Sequence, residues 1–363
     1  MKLLIAVDSF GQFASADEIA KRIAAAVRDA GHEAIEHPMT DGGEGMLATL
    51  TMHRDLLHQH IAVQGPFGGE TTALVGWYGE MAIVESAQAC GWPALGTATL
   101  DPSTATTAGV GELLKKVAAR SDGPIVLGLG GSVTVDGGLG TLQSLGLLPL
   151  DGKGRRLEGL NGLEGLSQVR RLVGHPVWDN RLLEVLTDVR TPLVEAPAEY
   201  GPQKGLAAEK VNEATEVFLR WGEVLQRWRQ EHNYAPLEPG LPGGGAAGGL
   251  GYALAAVLNT GLYAGAPRVA RMTGLHRAIA SSDRVITGEG KLDATSYAGK
   301  VVDVVIQIAR QQERGVWVVA GQATDTRAPP QGPDRVFTSD AASSPAQCFS
   351  NALNALSSAL NCD

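Results

Sequence analysis

Carboxylates recur where the apolar runs of this chain stop. Leu3-Leu4-Ile5-Ala6-Val7 ends in Asp8-Ser9, and Ala34 to Met39 leads into Asp41-Gly42-Gly43-Glu44-Gly45. Arg284-Val285-Ile286-Thr287 ends in Gly288-Glu289-Gly290-Lys291-Leu292-Asp293, and Leu182 to Leu186 ends at Thr187-Asp188. Ile125 to Leu129 ends in Gly130-Gly131-Ser132, with Thr134 and Asp136-Gly137-Gly138 following. Read as strands, these five runs all end near carboxylates, and three also carry glycine clusters. Glycine turns that open helices offer bare backbone N–H groups to phosphate oxygens. Carboxylates beside them suit Mg²⁺, which is usually held by one or two carboxylates plus substrate phosphates. A further carboxylate can take the proton of an attacking hydroxyl. The combination points to phosphoryl transfer, where positioning and charge neutralisation do most of the work. Asp-Gly-Gly is also a good helix cap, and capping is compatible with function.

Three lysines sit beside glycines: Lys204 in Gly201-Pro202-Gln203-Lys204-Gly205, Lys291, and Lys300 after Gly299. A lone lysine is usually a solvated surface group, but these loops make them the best phosphate candidates. No Gly-x4-Gly-Lys-Ser/Thr occurs, which excludes a P-loop. Gly243-Gly244-Gly245-Ala246-Ala247-Gly248 matches Gly-x-Gly-x-x-Gly, yet Glu238-Pro239-Gly240-Leu241-Pro242 before it cannot be a strand. The dinucleotide fingerprint therefore fails its context, and the segment reads as a helix N-terminus with close backbone approach. The eight histidines show no ligand spacing, and Cys90, Cys348 and Cys362 define neither a metal motif nor a disulfide framework.

The elements that must position these groups follow from periodicity. Residues 2–7 read as a buried strand, and Ser15-Ala16-Asp17-Glu18 opens an amphipathic helix with a capping box. A second strand and a helix from Asp41 to about Leu57 complete a βαβα run, the pattern of a parallel sheet with helices on its faces. The C-terminal part repeats the style, with strands at 284–287, 316–320 and 335–338 and a helix over 297–312. The middle differs. Antiparallel strands are expected over 61–86, a strand, glycine turn and helix over 124–150, and helices over 208–232 and 245–258. The expected organisation is a discontinuous, doubly wound Rossmann- or flavodoxin-like α/β domain of residues 1–62 and 283–363. A second α/β domain, residues 63–282, is inserted in it.

The chain has 363 residues, 44% hydrophobic and 19% charged, enough for two domains with apolar cores. Its net charge of −9 argues against a nucleic-acid surface, which needs clustered cations. Small anionic substrates need only a few local cations. The 47 glycines fall in clusters rather than a repeat, so they mark turns and close approaches. No run approaches the roughly 18 apolar residues of a membrane helix, and the N-terminal run is too short for a signal peptide. The expected location is the cytoplasm, with small-molecule partners, no nucleic acid and no membrane; a homodimer is compatible with the sequence.

Taken together, the motifs resemble those of the type I glycerate kinases. The resemblance runs nearly end to end: Asp8-Ser9-Phe10, Asp41-Gly42-Gly43-Glu44-Gly45, Glu85, Gly109 with Gly111-Glu112-Leu113, Gly130-Gly131-Ser132, Asp136-Gly137-Gly138, Asp188-Val189, Gly201-Pro202-Gln203-Lys204-Gly205, Gly245-Ala246-Ala247-Gly248-Gly249, and Gly288-Glu289-Gly290-Lys291-Leu292-Asp293 with Gly299-Lys300. It implies ATP-dependent phosphorylation of D-glycerate with Mg²⁺, typically to 2-phosphoglycerate, in a cleft between two α/β domains. Carried over, it makes Asp188, Asp136 and Asp293 the candidate catalytic residues and Asp136 and Asp188 the candidate metal ligands, with base and metal roles open between them. Substrate or ATP contacts are then expected from Asp8, Ser9, Asp41, Gly42, Gly43, Glu44, Glu85, Gly130, Gly131, Ser132, Gln203, Lys204, Gly245, Gly288, Glu289, Lys291 and Lys300. The chain departs from the family pattern at Val7, Gly11, Ala108, Val135, Thr295 and Ala298, where the family usually has Pro, Lys, Arg or Tyr, Asn, Gln and His. Two other readings compete: a kinase scaffold of reduced activity that binds or regulates, and a Rossmann-like dehydrogenase, which the failed fingerprint opposes. ADP release with ATP, Mg²⁺ and D-glycerate separates all three.

Overall fold

The computed structural model describes residues 1–362 apart from 12, 95–98, 160, 180, 329–330 and 340–343. The chain divides into two compact units, Met1–Arg54 with Ala264–Asp363 (unit 1) and Asp55–Tyr263 (unit 2). The described strands, in chain order, are β1 (Lys2–Val7), β2 (Glu33–Glu36), β3 (Leu57–Gln64), β4 (Glu70–Tyr78), β5 (Met81–Glu85), β6 (Ile125–Leu129), β7 (Leu148–Leu150), β8 (Arg171–Val173), β9 (Leu183–Thr187), β10 (Leu262–Ala264), β11 (Arg284–Leu292), β12 (Gly315–Ala323) and β13 (Arg335–Phe337).

Unit 1 is a five-stranded parallel sheet in the order β13-β12-β11-β1-β2. Counted within the unit, that order is 2-1-3-4-5, the flavodoxin type, whose switch point lies between the first and third strands. Here those strands are β1 and β11. Leu3 to Val7 are buried on both faces, as a parallel sheet between helices requires. The helix Ala16–Asp29 starts at the expected capping box, Ser15 with Glu18, and buries Ile19, Ile23 and Val27. These pack with Leu3, Ile5, Trp317, Phe349 and Leu356 in one core.

Unit 2 carries a mixed sheet, β10-β9-β6-β5-β4-β3. Strands β5, β6 and β9 are parallel, while β3, β4 and β5 form an antiparallel meander. An antiparallel β7-β8 pair and the long helix Val211–Glu231 complete it, the helix burying Phe218, Trp221, Leu225 and Trp228.

Several boundaries differ from the sequence expectation. The contact boundaries fall at 54/55 and 263/264, against the expected 62/63 and 282/283. All of β3 pairs with β4, which draws residues 57–62 into unit 2. The helix Gly265–Thr273 packs on the helices Met46–His53 and Val301–Gln311, which draws it into unit 1. β11 continues to Leu292 instead of stopping at Thr287, because Glu289 to Leu292 pair with Ala320 to Ala323. Gly288 makes that extension possible; a Cβ there would overlap the Val319 carbonyl oxygen. The helix expected over 297–312 is a short 3₁₀ turn, Ala294–Tyr297, followed by Val301–Gln311.

The glycine run 243–249 is a packing device. Ala247, Gly248 and Gly249 all have left-handed φ, +51°, +67° and +94°. A Cβ on Gly248 would overlap the Thr134 carbonyl oxygen, and Gly137 N–H donates to the Gly248 carbonyl at 3.0 Å. Gly248→Ala is therefore expected to destabilise unit 2 by about 3 kcal/mol, the upper range for overpacking. Gly154→Ala shares the positive φ (+75°) but meets open space, and should lose about 1 kcal/mol from backbone strain alone. Urea unfolding of the two variants checks this, and equal losses would contradict the packing role.

Candidate functional site

Each unit holds one pocket at the carboxyl ends of its parallel strands. In unit 1, a pocket of about 580 Å³ is lined by Asp8, Ser9, Asp41, Glu289, Lys291, Asp293 and Lys300, with Gly321 and Gln322 from β12. It lies at the β1/β11 switch point, where open α/β sheets bind ligands. Burial holds the Asp8 carboxyl well above the usual carboxylate range, and the neighbouring charges of Asp41 and Glu289 add to the shift. Burial likewise raises Asp41, against the pull of Lys300. Glu289 is pushed up to about 6, first by burial, with Lys300 and a Ser296 hydrogen bond opposing. Its Oε1 is buried without a hydrogen-bond partner among the described residues. Ser9 N–H donates to Asp8 Oδ1 at 2.6 Å.

Asp293 behaves differently from these three. It caps the 3₁₀ turn, its Oδ1 accepting from Thr295 N–H at 2.9 Å and Thr295 Oγ1 at 2.6 Å, and its Oδ2 lies 3.5 Å from Lys291 Nζ. The Thr295 hydroxyl, more than Lys291, holds its carboxyl below the usual range. Gly42 and Gly43 are buried in the turn after Asp41, and Glu44 is exposed outside the pocket.

In unit 2, a pocket of about 220 Å³ is lined by Gly130, Gly131, Ser132, Asp188, Gln203 and Lys204, all expected from sequence, and by Trp92, Val189, Tyr200, Ala246 and Ala247. The register sets Leu129 beside Thr187, so Gly130 and Asp188 leave their strands side by side. Lys204 is 5% exposed. Its Nζ donates to Ser132 Oγ at 2.8 Å and to the Thr134 carbonyl at 3.0 Å, both neutral acceptors. Burial lowers its pKa to about 8, while the carboxylates of Asp136 and Asp188 work to keep the ammonium. Glu85, at the carboxyl end of β5, is 3% exposed, accepts from Gln88 Nε2 at 3.4 Å and does not line the pocket.

Asp136, expected as a catalytic residue and metal ligand, lies enclosed and outside the lining of the unit 2 pocket. It has no exposed surface. Its Oδ2 accepts from Thr107 N–H (2.8 Å), Thr107 Oγ1 (2.9 Å) and Gly140 N–H (3.2 Å), and its Oδ1 from Gly138 N–H (3.0 Å). Burial raises its pKa against all four of these bonds. It fastens the start of the helix Ala108–Ala118 to the turn that opens Leu139–Ser144. Gly245 also lies outside the lining of that pocket. Its N–H donates to the Thr191 carbonyl at 2.9 Å, and a Cβ would lie 2.7 Å from the Pro192 carbonyl oxygen, so the glycine serves packing.

Sequence reasoning missed Tyr200 and Thr107. Tyr200 immediately precedes the Gly201–Gly205 loop, and its hydroxyl shares a 2.6 Å hydrogen bond with Thr191 Oγ1. Thr107 opens the helix that carries Gly109 and Gly111, which was a local signal of its importance.

Comparison with known proteins bears on this geometry. The family model described as the glycerate kinase family matches residues 3–361. The chain belongs to the glycerate kinase family. It is 32% identical to the glycerate 2-kinase of Escherichia coli (strain K12), over 90% of this chain and 86% of that one. It is 33% identical to the glycerate kinase of Haemophilus influenzae, over 88% and 86%. A crystal structure of a Salmonella typhimurium LT2 protein assigned as a glycerate kinase 2 superposes with a TM-score of 0.76 at 31% identity, covering 99% of this chain and 96% of that one. The departures from the glycerate kinase pattern fall in different settings. Val135 is 1% exposed in the unit 2 core, whereas Gly11 and Thr295 line the unit 1 pocket. Gly11 has φ +58°, so a lysine side chain there would meet backbone strain.

Asp136→Asn tests the reassignment. An amide turns a donor toward groups that are themselves donors, so at least one of the four loses its acceptor. The expected loss is about 2–3 kcal/mol, the range for a hydrogen bond to a buried charged group, read as a lower urea midpoint. Unchanged stability with abolished turnover would restore the catalytic reading.

Proposed function

We propose that this chain phosphorylates D-glycerate with ATP, giving 2-phosphoglycerate and ADP. The observation that carries the reading is the unit 2 pocket: a glycine turn, a carboxylate and a buried lysine at adjacent ends of parallel strands, in a chain of the glycerate kinase family. The name of the Escherichia coli relative supports the 2-position as the site of transfer.

In this reading Asp188 accepts the proton of the glycerate hydroxyl as its oxygen attacks the γ-phosphorus. A new P–O bond forms, the bond to the β-phosphate bridging oxygen breaks, and ADP leaves with that electron pair. The unit 1 pocket takes the nucleotide. Its volume of about 580 Å³ suits a ligand of that size, inside the roughly 300–1,000 Å³ common for larger ligands. Its buried carboxylates can accept from sugar hydroxyls, and Lys300 and Lys291 supply positive charge.

Among the described residues, no group of three or more His, Cys, Asp or Glu is arranged to hold a metal ion. Asp8 and Asp41, buried carboxylates of one pocket with the charge of Asp41 raising Asp8, fit a cation that arrives on nucleotide phosphates. Mg²⁺ held there would neutralise polyphosphate charge in the transition state. Asp136 does not fit, because its oxygens are enclosed and engaged.

A coupled assay for ADP is expected to register turnover that needs ATP, a divalent cation and D-glycerate together. Asp188→Asn should lower kcat by roughly 10²–10⁴, the effect of losing a positioned general base. No ADP above background with D-glycerate or related hydroxy acids would remove the reading, and near-normal kcat in the variant would remove Asp188 as base.

A further inference from the structure

The Gly111-Glu112-Leu113 motif lines neither pocket, yet its carboxylate is engaged. It lies on the helix Ala108–Ala118, which buries Val110, Leu113, Leu114 and Val117 in one core with Ile61 and Val63 of β3. β3 is the last strand of its sheet, and among the described residues it pairs with β4 alone. In an antiparallel pair, alternate residues turn their N–H and C=O groups away from the partner. Gly65 N–H bonds the Gly69 carbonyl, so Gln64 and Ala62 are turned outward. The helix supplies their partners. Gln64 N–H donates to Glu112 Oε2 at 3.0 Å, and Lys116 Nζ donates to the Ala62 carbonyl at 2.6 Å. Glu112 and Lys116 stand one turn apart and share a helix face. Gly109 permits the approach, since a Cβ there would overlap the Gln64 carbonyl oxygen. Just before the helix, Thr106 N–H donates to the Pro66 carbonyl at 2.8 Å.

The same helix starts after Thr107, whose N–H and Oγ1 both donate to Asp136. Apolar packing is non-directional, so the seam with β3 leaves the position of the helix along its own axis to the polar contacts. Glu112 and Thr107 lie about 7.5 Å apart along that axis, at roughly 1.5 Å per residue, so a slide at one is felt at the other. Ser132 and Thr134, which hold Lys204 Nζ, lie shortly before Asp136 in the chain. We propose that Glu112 is a positioning residue for the unit 2 pocket: its bond to Gln64 keeps Thr107 on Asp136, and with it the segment from Ser132 to Thr134 that holds Lys204. Glu112 acts through these groups and does not line the pocket. The proposal goes beyond the phosphoryl-transfer reading and rests on it only for its kinetic readout.

The test compares Glu112→Ala, Glu112→Asp and Glu112→Gln with the wild-type chain. Alanine removes the acceptor, aspartate keeps the charge but withdraws it by one methylene, and glutamine keeps an acceptor oxygen at the same reach. The readouts are the NMR titration midpoint of the Lys204 side chain, and KM for D-glycerate set against kcat. In Glu112→Ala the loosened segment admits water to Lys204, so the midpoint should rise toward the ordinary lysine value by about 0.5 pH or more. KM for D-glycerate should rise roughly 3–10-fold, the fold-change of one net hydrogen bond, with kcat within about twofold. Glu112→Asp is expected to follow alanine and stands in for it if alanine fails to fold, while Glu112→Gln should restore both values. A folded alanine or aspartate variant with a lower urea midpoint but an unmoved Lys204 midpoint and KM would confine Glu112 to stability and overturn the proposal. A glutamine variant that behaves like alanine would overturn it too. If the wild-type chain makes no ADP, the proposed function falls, and the Lys204 midpoint alone decides the role of Glu112.

Discussion

Asp136 sits out of water with four donors around it, and the walls of the unit 2 pocket hang from what it fastens. Through Thr107 it holds the start of one helix, and through Gly138 and Gly140 it holds the turn into another. The strand-exit segment Gly130 to Val135 runs directly into that clasp. Ser132 Oγ and the Thr134 carbonyl, the two groups that hold Lys204, lie on this segment. Gly248 closes the arrangement from the other side, since only a residue without a Cβ fits against Thr134. A buried carboxylate is costly unless its lone pairs are satisfied. Here satisfaction and positioning are the same set of bonds.

Unit 1 follows a different logic. Its sheet is an ordinary buried parallel core, and its expense lies at the switch point, where Asp8, Asp41 and Glu289 share one pocket. Folding favours the protonated form of Glu289, so the stability tied to that proton is present at low pH and lost as pH rises through about 6. Structure that tolerates such a loss is characteristic of sites selected for binding. Lys300 offsets part of the repulsion for all three carboxylates.

Much of this was legible in the residues. The apolar runs located β1, β6 and β9, and the capping box located the first long helix. The glycine-flanked Lys204 and the strand-end Asp188, both legible as site candidates, line the unit 2 pocket. What the sequence could not convey was the difference between a carboxylate facing a pocket and one enclosed by donors. Asp136-Gly137-Gly138 and Asp41-Gly42-Gly43 look alike as text. Their roles part only because Thr107, 29 residues upstream, folds onto Asp136. The continuation of β11 through Gly288-Glu289-Gly290 was hidden for a similar reason. Glycines read as a turn until the neighbouring strand supplies the pairing.

Among the described residues Lys204 has no ionic hydrogen-bond partner, and in the proposed function it is the cation that the unit 2 pocket offers to an anionic substrate. The carboxylates of Asp136 and Asp188 favour its ammonium, and the Tyr200 ring centroid lies 6.0 Å from its Nζ. The most direct measurement is an NMR titration of the Lys204 side chain in lysine-labelled protein, assigned by comparison with Lys204→Arg, with and without D-glycerate. The expected midpoint is about 8 in the free protein, and D-glycerate should raise it, because a bound carboxylate favours the ammonium. A midpoint at the ordinary lysine value of about 10.4, unmoved by saturating D-glycerate, would contradict it.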